Sequence, residues 1–199
     1  GELIEMGDLC EEAMSLVMKA LREKDEEIAV SVHKIEQKID QKERDIEAMC
    51  MTLLLRQQPV SGALRSISSA LRMIADMERI GDHAVNLAEY GDDMRKWEID
   101  FSDTVKEELN EMKAQCIAAL DNLKEVTSEN VERILSQAVI IEQKTDDMRD
   151  KYFKKQMQRL KKGKCKPQSG IVFSEILTDF ERMGDHVKNI AQQYKQMGE

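Results

Sequence analysis

The sequence predicts an all-α protein built as two tandem antiparallel three-helix bundles, and three observations carry that prediction. Apolar residues recur at three- and four-residue spacing along most of the chain, the period of an amphipathic helix. Of 199 residues 35% are charged, 4% are aromatic and only two are prolines, a composition suited to long helices. The third is an internal repeat: Met77-Glu78-Arg79-Ile80-Gly81-Asp82-His83 returns as Phe180-Glu181-Arg182-Met183-Gly184-Asp185-His186. Two copies of one folding unit account for that self-similarity.

Each element can be justified in order. Leu3, Met6, Leu9, Cys10, Ala13, Leu16, Val17, Ala20 and Leu21 form one apolar face and predict a helix over residues 1 to about 24. Ile28, Val32, Ile35, Ile39 and Ile46 stripe a second helix, which ends before Gln57-Gln58-Pro59. Pro59 suits the first turn of a third, which runs through Leu64, Ile67, Leu71 and Ile74 to the repeated motif and stops near Gly91. Residues 91 to about 101 are polar and aperiodic and read as the link. The pattern then returns: Ile35-Glu36-Gln37-Lys38-Ile39-Asp40 matches Ile141-Glu142-Gln143-Lys144-Thr145-Asp146, and Met6 and Cys10 match Met112 and Cys116. Helices are therefore predicted near 102–124, 128–161 and 170–197, giving a first bundle over 1–91, a linker over 92–101 and a second bundle over 102–199.

Composition also excludes function classes. A net charge of -9 argues against nucleic acid as a partner. No run approaches ~18 apolar residues and no signal peptide is visible, so direct membrane insertion is not predicted. Gly1 falls inside an apparent helix, which predicts that a native start or a preceding domain has been removed. Cys10, Cys50, Cys116 and Cys165 form neither a zinc-finger spacing nor a disulfide scaffold; they read as small apolar residues in a reducing compartment. The thirteen methionines read as core filler. The basic run from Lys151 to Lys166 reads as a solvated helix end, with docking to an acidic surface as the sharper alternative.

The chemistry lies in Glu-x-x-x-Asp pairs. On a helix, residues four apart point within about 40° of each other and sit ~6 Å apart along the axis. Each half supplies two such pairs, Glu36/Asp40 with Glu78/Asp82 and Glu142/Asp146 with Glu181/Asp185. If consecutive antiparallel helices face these pairs, four carboxylates converge per half, a hard oxygen site for iron, manganese, magnesium or zinc. The competing reading is a salt-bridge lattice in which Arg79, Arg182, Arg56, Arg65 or nearby lysines neutralise the acids. Gly81 and Gly184 would be tolerated in a helix where something must come close. His83 and His186 point away from the apolar arc and read as exposed or as hydrogen-bonding between helices rather than as ligands. No Glu-x-x-His pattern, phosphate loop or nucleophile elbow is present, so the chain is not read as an enzyme.

Gln58-Pro59-Val60 with Leu64-Arg65, Glu78 through Asn86, and Glu181 through Ala191 together resemble the PhoU family, over nearly the whole chain. The resemblance implies multinuclear clusters of divalent or trivalent metal ions (iron, zinc or manganese) held by Glu36, Asp40, Glu78, Asp82, Glu142, Asp146, Glu181 and Asp185. It further implies a cytoplasmic, non-enzymatic adaptor between a phosphate ABC transporter ATPase subunit and a sensor histidine kinase, restraining both when phosphate is plentiful. Such a protein regulates phosphate uptake and phosphate-starvation signalling. A homodimer stays open, as do a carboxylate-bridged metalloenzyme or phosphohydrolase and the regulatory domain of a sodium-phosphate cotransporter. Ala63 departs from the acid often found before Leu-Arg, and Thr145 stands where Ile39 stands in the first half, which predicts a second site that is looser or differently filled.

Overall fold

The computed structural model describes residues 12, 26–57 and 61–198, and the regular structure among them is entirely helical. Five helices follow in order: α1 (Glu26–Gln57), α2 (Ser61–Lys96), α3 (Asp103–Lys124), α4 (Val131–Lys161) and α5 (Pro167–Met197). The helix expected over residues 1–24, and Pro59 with its expected place at a helix start, lie outside the described residues. The helices α3, α4 and α5 pack on one another as a three-helix bundle, α1 packs along α2, and α2 lies along α5 where the halves meet. The α2 and α5 pair is antiparallel, since Ser66 near the start of α2 donates to the Met197 carbonyl at the end of α5 (3.3 Å), while His83 further along meets Asp179.

The core follows the stripes read from the sequence. Val32, Ile35, Ile39 and Ile46 of α1 are buried, as are Ile74, Ile80 and Leu87 of α2 and Phe173, Ile176, Leu177 and Phe180 of α5. Met73, Met77, Met94, Met112 and Met183 fill the same core, in keeping with methionine as filler. Cys50 and Cys116 are buried too, whereas Cys165 is only half-buried in the loop before α5, and Cys10 lies outside the described residues.

Boundaries differ from expectation for local reasons. The helix expected to stop near Gly91 continues to Lys96, so only residues 97–102 separate α2 from α3. This connection is anchored rather than polar throughout: Ile99 and Phe101 are buried, and Phe101 packs edge-on against Phe173 with ring centroids 6.0 Å apart. The hydroxyl of Ser102 accepts from the Val105 amide (3.3 Å) and caps α3. Residues 128–130 form a turn instead of the first turn of α4, held where Asn130 accepts from the Thr127 amide (2.7 Å) and donates to the Glu125 carbonyl (2.9 Å). The last helix starts at Pro167, three residues before the expected 170, because proline's missing N–H is harmless in a first helical turn.

Two helix ends share one geometry with different residues. At the end of α4 the Lys164 amide donates to the Arg159 carbonyl (2.8 Å) and the Gly163 amide to the Leu160 carbonyl (3.1 Å), with Gly163 at φ +66°, a Schellman cap. At the end of α2 the Ile99 amide donates to the Met94 carbonyl (2.8 Å) and the Glu98 amide to the Arg95 carbonyl (3.3 Å). There the left-handed residue is Glu98, at φ 51°, and buried Ile99 and Met94 supply the accompanying apolar residues. A side chain in that conformation costs about 1 kcal/mol relative to glycine. Glu98→Gly should therefore raise the thermal midpoint by a few degrees and Gly163→Ala should lower it, measured by circular dichroism melting.

Candidate metal centres on the helix pairs

The acids come together because small residues let their helices approach. A Cβ built on Gly81 of α2 would lie 3.1 Å from the Ile39 side chain of α1 and 3.8 Å from Glu36. A Cβ on Gly184 of α5 would lie 3.1 Å from the Thr145 hydroxyl of α4. The repeat thus places Gly81 on Ile39 and Gly184 on Thr145, and the glycines serve close approach between helices. Of the two outcomes expected of Thr145, a looser or a differently filled second half, its own contacts speak only to the first. Thr145 is fully buried, and its hydroxyl donates to the Glu142 carbonyl at 2.8 Å, which satisfies the polar group where Ile39 needs no partner.

Around these contacts the carboxylates converge. In the first half Glu36, Glu78 and Asp82 each place an oxygen within 4.8 Å of the other two, and Asp40, Glu43 and Glu78 do the same. Glu78 belongs to both groups. In the second half Glu142, Asp146 and Asp185 form the corresponding group. Glu181 lies outside that triad but within hydrogen-bonding reach of Asp146 and Asp185. All of these acids are half-buried except Asp82, which is exposed, so the centres open on the flank of each helix pair and not on the core.

Electrostatics show the cost of assembling them. Burial, then the neighbouring Asp40 and Asp82, push the Glu36 carboxyl up to about 7. Burial, then the charges of Asp82, Glu43 and Asp40, push Glu78 up to about 7. Burial, then Asp185 and Asp146, do the same for Glu181, which also reaches about 7. Glu43 is raised by burial and by Glu47, Asp40 and Asp82, and Asp146 and Asp185 are raised chiefly by burial. One oxygen on each of Asp146 and Asp185 is buried without a hydrogen-bond partner. Carboxylates packed this way need a proton or a cation.

The arginines proposed as counter-charges are not where a salt-bridge lattice needs them. Arg65, Arg79 and Arg182 are exposed, and the side chain of Arg56 lies outside the described residues. Among the described residues no ion pair joins Glu36, Asp40, Glu78 or Asp82 to a base. The second half differs, since the Lys188 ammonium lies 3.4 Å from Glu142. Lys188 corresponds to Val85 in the repeat, and Arg149 corresponds to Glu43. The first centre therefore holds an extra acid and the second holds an extra base.

His83 and His186 tie the halves together. Their rings stack with centroids 5.5 Å apart; Nδ1 of His83 donates to Asp179 (2.6 Å) and Nδ1 of His186 donates to Asp76 (2.9 Å). This is the hydrogen-bonding role between helices expected for them, exchanged between α2 and α5. Sequence reasoning missed Asp76 and Asp179, both buried, although they repeat at the spacing that relates His83 to His186 and so carried a signal. Glu43 falls outside the Glu-x-x-x-Asp pattern and was likewise missed, although the fold gathers it with Asp40 and Glu78.

The chain belongs to the PhoU family, whose domain model, described as "PhoU domain", matches residues 3–91 and 109–194. It is similar to the phosphate-specific transport system accessory protein PhoU homolog of Synechocystis sp., 29% identical over 196 residues that cover 96% of this chain and 84% of that protein. The homolog of the same name from Clostridium acetobutylicum is 29% identical over 198 residues, covering 96% and 86%. Among solved structures, PhoU from Pseudomonas aeruginosa superposes with a TM-score of 0.90 at 23% identity, covering 98% of this chain and 93% of that one. PhoU from Streptococcus pneumoniae gives 0.82 at 23%, covering 100% and 93%. The family is one of regulatory accessory proteins and not of enzymes, which removes the phosphohydrolase alternative.

The raised carboxyls fix the sign of a pH effect. Glu36, Glu78 and Glu181 have an ordinary value of 4.5 and reach about 7 in the fold, so between these limits the native chain binds more protons than the unfolded one. Their stabilising contribution is complete below pH 4.5 and is lost as the pH rises through about 7. With chelator present, the wild-type thermal midpoint should drop over this range more steeply than that of the triple variant Glu36→Gln, Glu78→Gln, Glu181→Gln. Parallel curves would contradict the assignment.

Proposed function

We propose that the chain is a cytoplasmic, metal-binding regulator of phosphate uptake and phosphate-starvation signalling. In this reading it works as an adaptor between a phosphate ABC transporter ATPase subunit and a sensor histidine kinase, and restrains both when phosphate is plentiful. Family membership and the similarity to accessory proteins of phosphate-specific transport systems support the link to phosphate transport. Among the described residues no helix is long and apolar enough to cross a membrane, which agrees with a role beside a transporter rather than within the bilayer.

The single observation that carries the metal reading is the first centre, where five carboxylates share a flank of α1 and α2 and, among the described residues, no ion pair joins them to a base; only the adjacent Arg44 acts on one of them, Glu43. Glu36, Asp40, Glu43, Glu78 and Asp82 would hold ions there, and Glu142, Asp146, Glu181 and Asp185 in the second half. Oxygen donors of this kind suit iron, manganese or zinc, and a bound ion would supply the positive charge that lets the acids ionise together. The two orphaned oxygens of Asp146 and Asp185 fit the same role. For the second half, Lys188 beside Glu142 favours a competing salt bridge.

Three triads imply up to three ions per chain, two of them in the first half and joined through Glu78. Elemental analysis of protein purified without chelator should show Glu78→Gln losing more metal than Asp185→Asn. Equal and complete retention in both would contradict the metal assignment. Partner binding is tested separately by co-purification with the transporter ATPase subunit and with the kinase cytoplasmic region; capture of neither would overturn the adaptor role, whatever the metal content.

A further inference from the structure

A second polar feature lies at the far end of the second bundle, away from the acid centres. A cleft of about 500 Å³ opens where the connection before α3, the end of α4 and the start of α5 meet. Glu98, Asp100, Arg159, Lys164, Lys166 and Ser169 are among its lining residues. The α5 helix begins here with Lys166 at its N-cap, and no side chain caps it; Pro167 follows. The Gly170 amide is the first to find a backbone acceptor, the Lys166 carbonyl at 3.2 Å, so the Gln168 and Ser169 amides are left at the positive end of the helix dipole.

Ser169 adds an independent observation. Only 8% of it is exposed, yet its hydroxyl has no hydrogen-bond partner in the protein and lies on the cleft wall. Its repeat counterpart Ser66 is satisfied by the Met197 carbonyl. The oxygen itself is open to the cleft, so it can donate to or accept from a group that enters there. Arg159 is held in place by Glu108, by a second contact to that carboxylate at 3.3 Å, and by the Gln156 side chain at 2.8 Å. Lys164 and Lys166 are exposed and have no carboxylate partner, which leaves two free cations at the mouth.

We propose that this cleft binds a phosphate group, as inorganic phosphate or as a phosphate monoester. The α5 amides and the Ser169 hydroxyl would donate to its oxygens, and Lys164 and Lys166 would balance its charge. The two acids set the selectivity. Asp100 is partly offset by Lys106 at 3.6 Å, and a carboxylate repels a fully ionised anion but accepts a hydrogen bond from one that keeps a proton near neutrality. Near neutrality inorganic phosphate keeps that proton in large part, a monoester with its second pKa about 6 keeps it in a small share, and sulfate does not keep it. The site shares no residue with the metal centres, so this inference does not rest on them.

The test is a titration of the full chain, with chelator present, by inorganic phosphate, phenyl phosphate and sodium sulfate at constant ionic strength, followed by amide NMR and calorimetry. Saturable shifts of the Gln168 and Ser169 amides with either phosphate compound, and binding at least several-fold weaker for sulfate, are expected. Lys164→Gln/Lys166→Gln should weaken phosphate binding about tenfold and Ser169→Ala by a smaller factor, both with unchanged melting curves. Saturation by the ester alone would place the site with phosphorylated ligands, and saturation by both with free phosphate. No saturable shift at these amides, equal binding of sulfate, or full binding by the double lysine variant would each overturn the proposal. Glu78→Gln should bind phosphate as the wild type does.

Discussion

Like-charged side chains held close together by helix packing are the constraint on which the rest of this molecule depends. The apolar stripes of α1, α2, α4 and α5 bury their faces whatever the acids beside them do, and burial of this kind is the dominant favourable term in folding. Gly81 on Ile39 and Gly184 on Thr145 set how near the helices come. The carboxylates of Glu36 and Glu78, or of Asp146 and Asp185, are then forced into company, and burial with mutual repulsion raises them. The fold pays for this locally, and a cation or a proton returns the cost. Stability and ligand binding are thereby coupled through the same few atoms.

The two halves are related but not equivalent. A shared plan gives both the glycine contact, the Glu-x-x-x-Asp pairs and a histidine that reaches across to the other half. Within that plan single residues shift the balance: Glu43 against Arg149, and Val85 against Lys188. The first centre is the more negative and the second already has an ammonium at Glu142. The reciprocal pairs, His83 with Asp179 and His186 with Asp76, lie one residue from Asp82 and Asp185, so the joint between halves and the acid centres occupy adjacent positions on the same two helices.

Much of this was legible in the sequence because period and repetition are strong signals. The 3.6-residue stripe located α1 and α2, the repeat carried that plan to α3, α4 and α5, and duplication singled out Glu78, Asp82, Glu181 and Asp185 from the many other acids of a highly charged chain. Helix ends were less legible. Gly91 reads as a stop, yet α2 passes through it because Met94 and Ile99 beyond it are buried and hold the chain in a cap at Glu98. Tertiary packing outweighed local propensity there. Asp76 and Asp179 stayed hidden because a lone buried acid looks like any other polar residue until its partner, on a helix in the other half, is in place. The inward turn of Arg159 to Glu108 was equally invisible, since the sequence shows it only as one member of a basic run.

The central claim is that the carboxylates on each helix pair are balanced by bound cations. Anomalous diffraction from crystals grown with iron, manganese or zinc tests it most directly. The account predicts scattering peaks at the two triads joined by Glu78, with a weaker or single peak among Glu142, Asp146 and Asp185. Maps without peaks, in which lysine or arginine side chains clasp Glu36, Glu78 and Asp82, would contradict it.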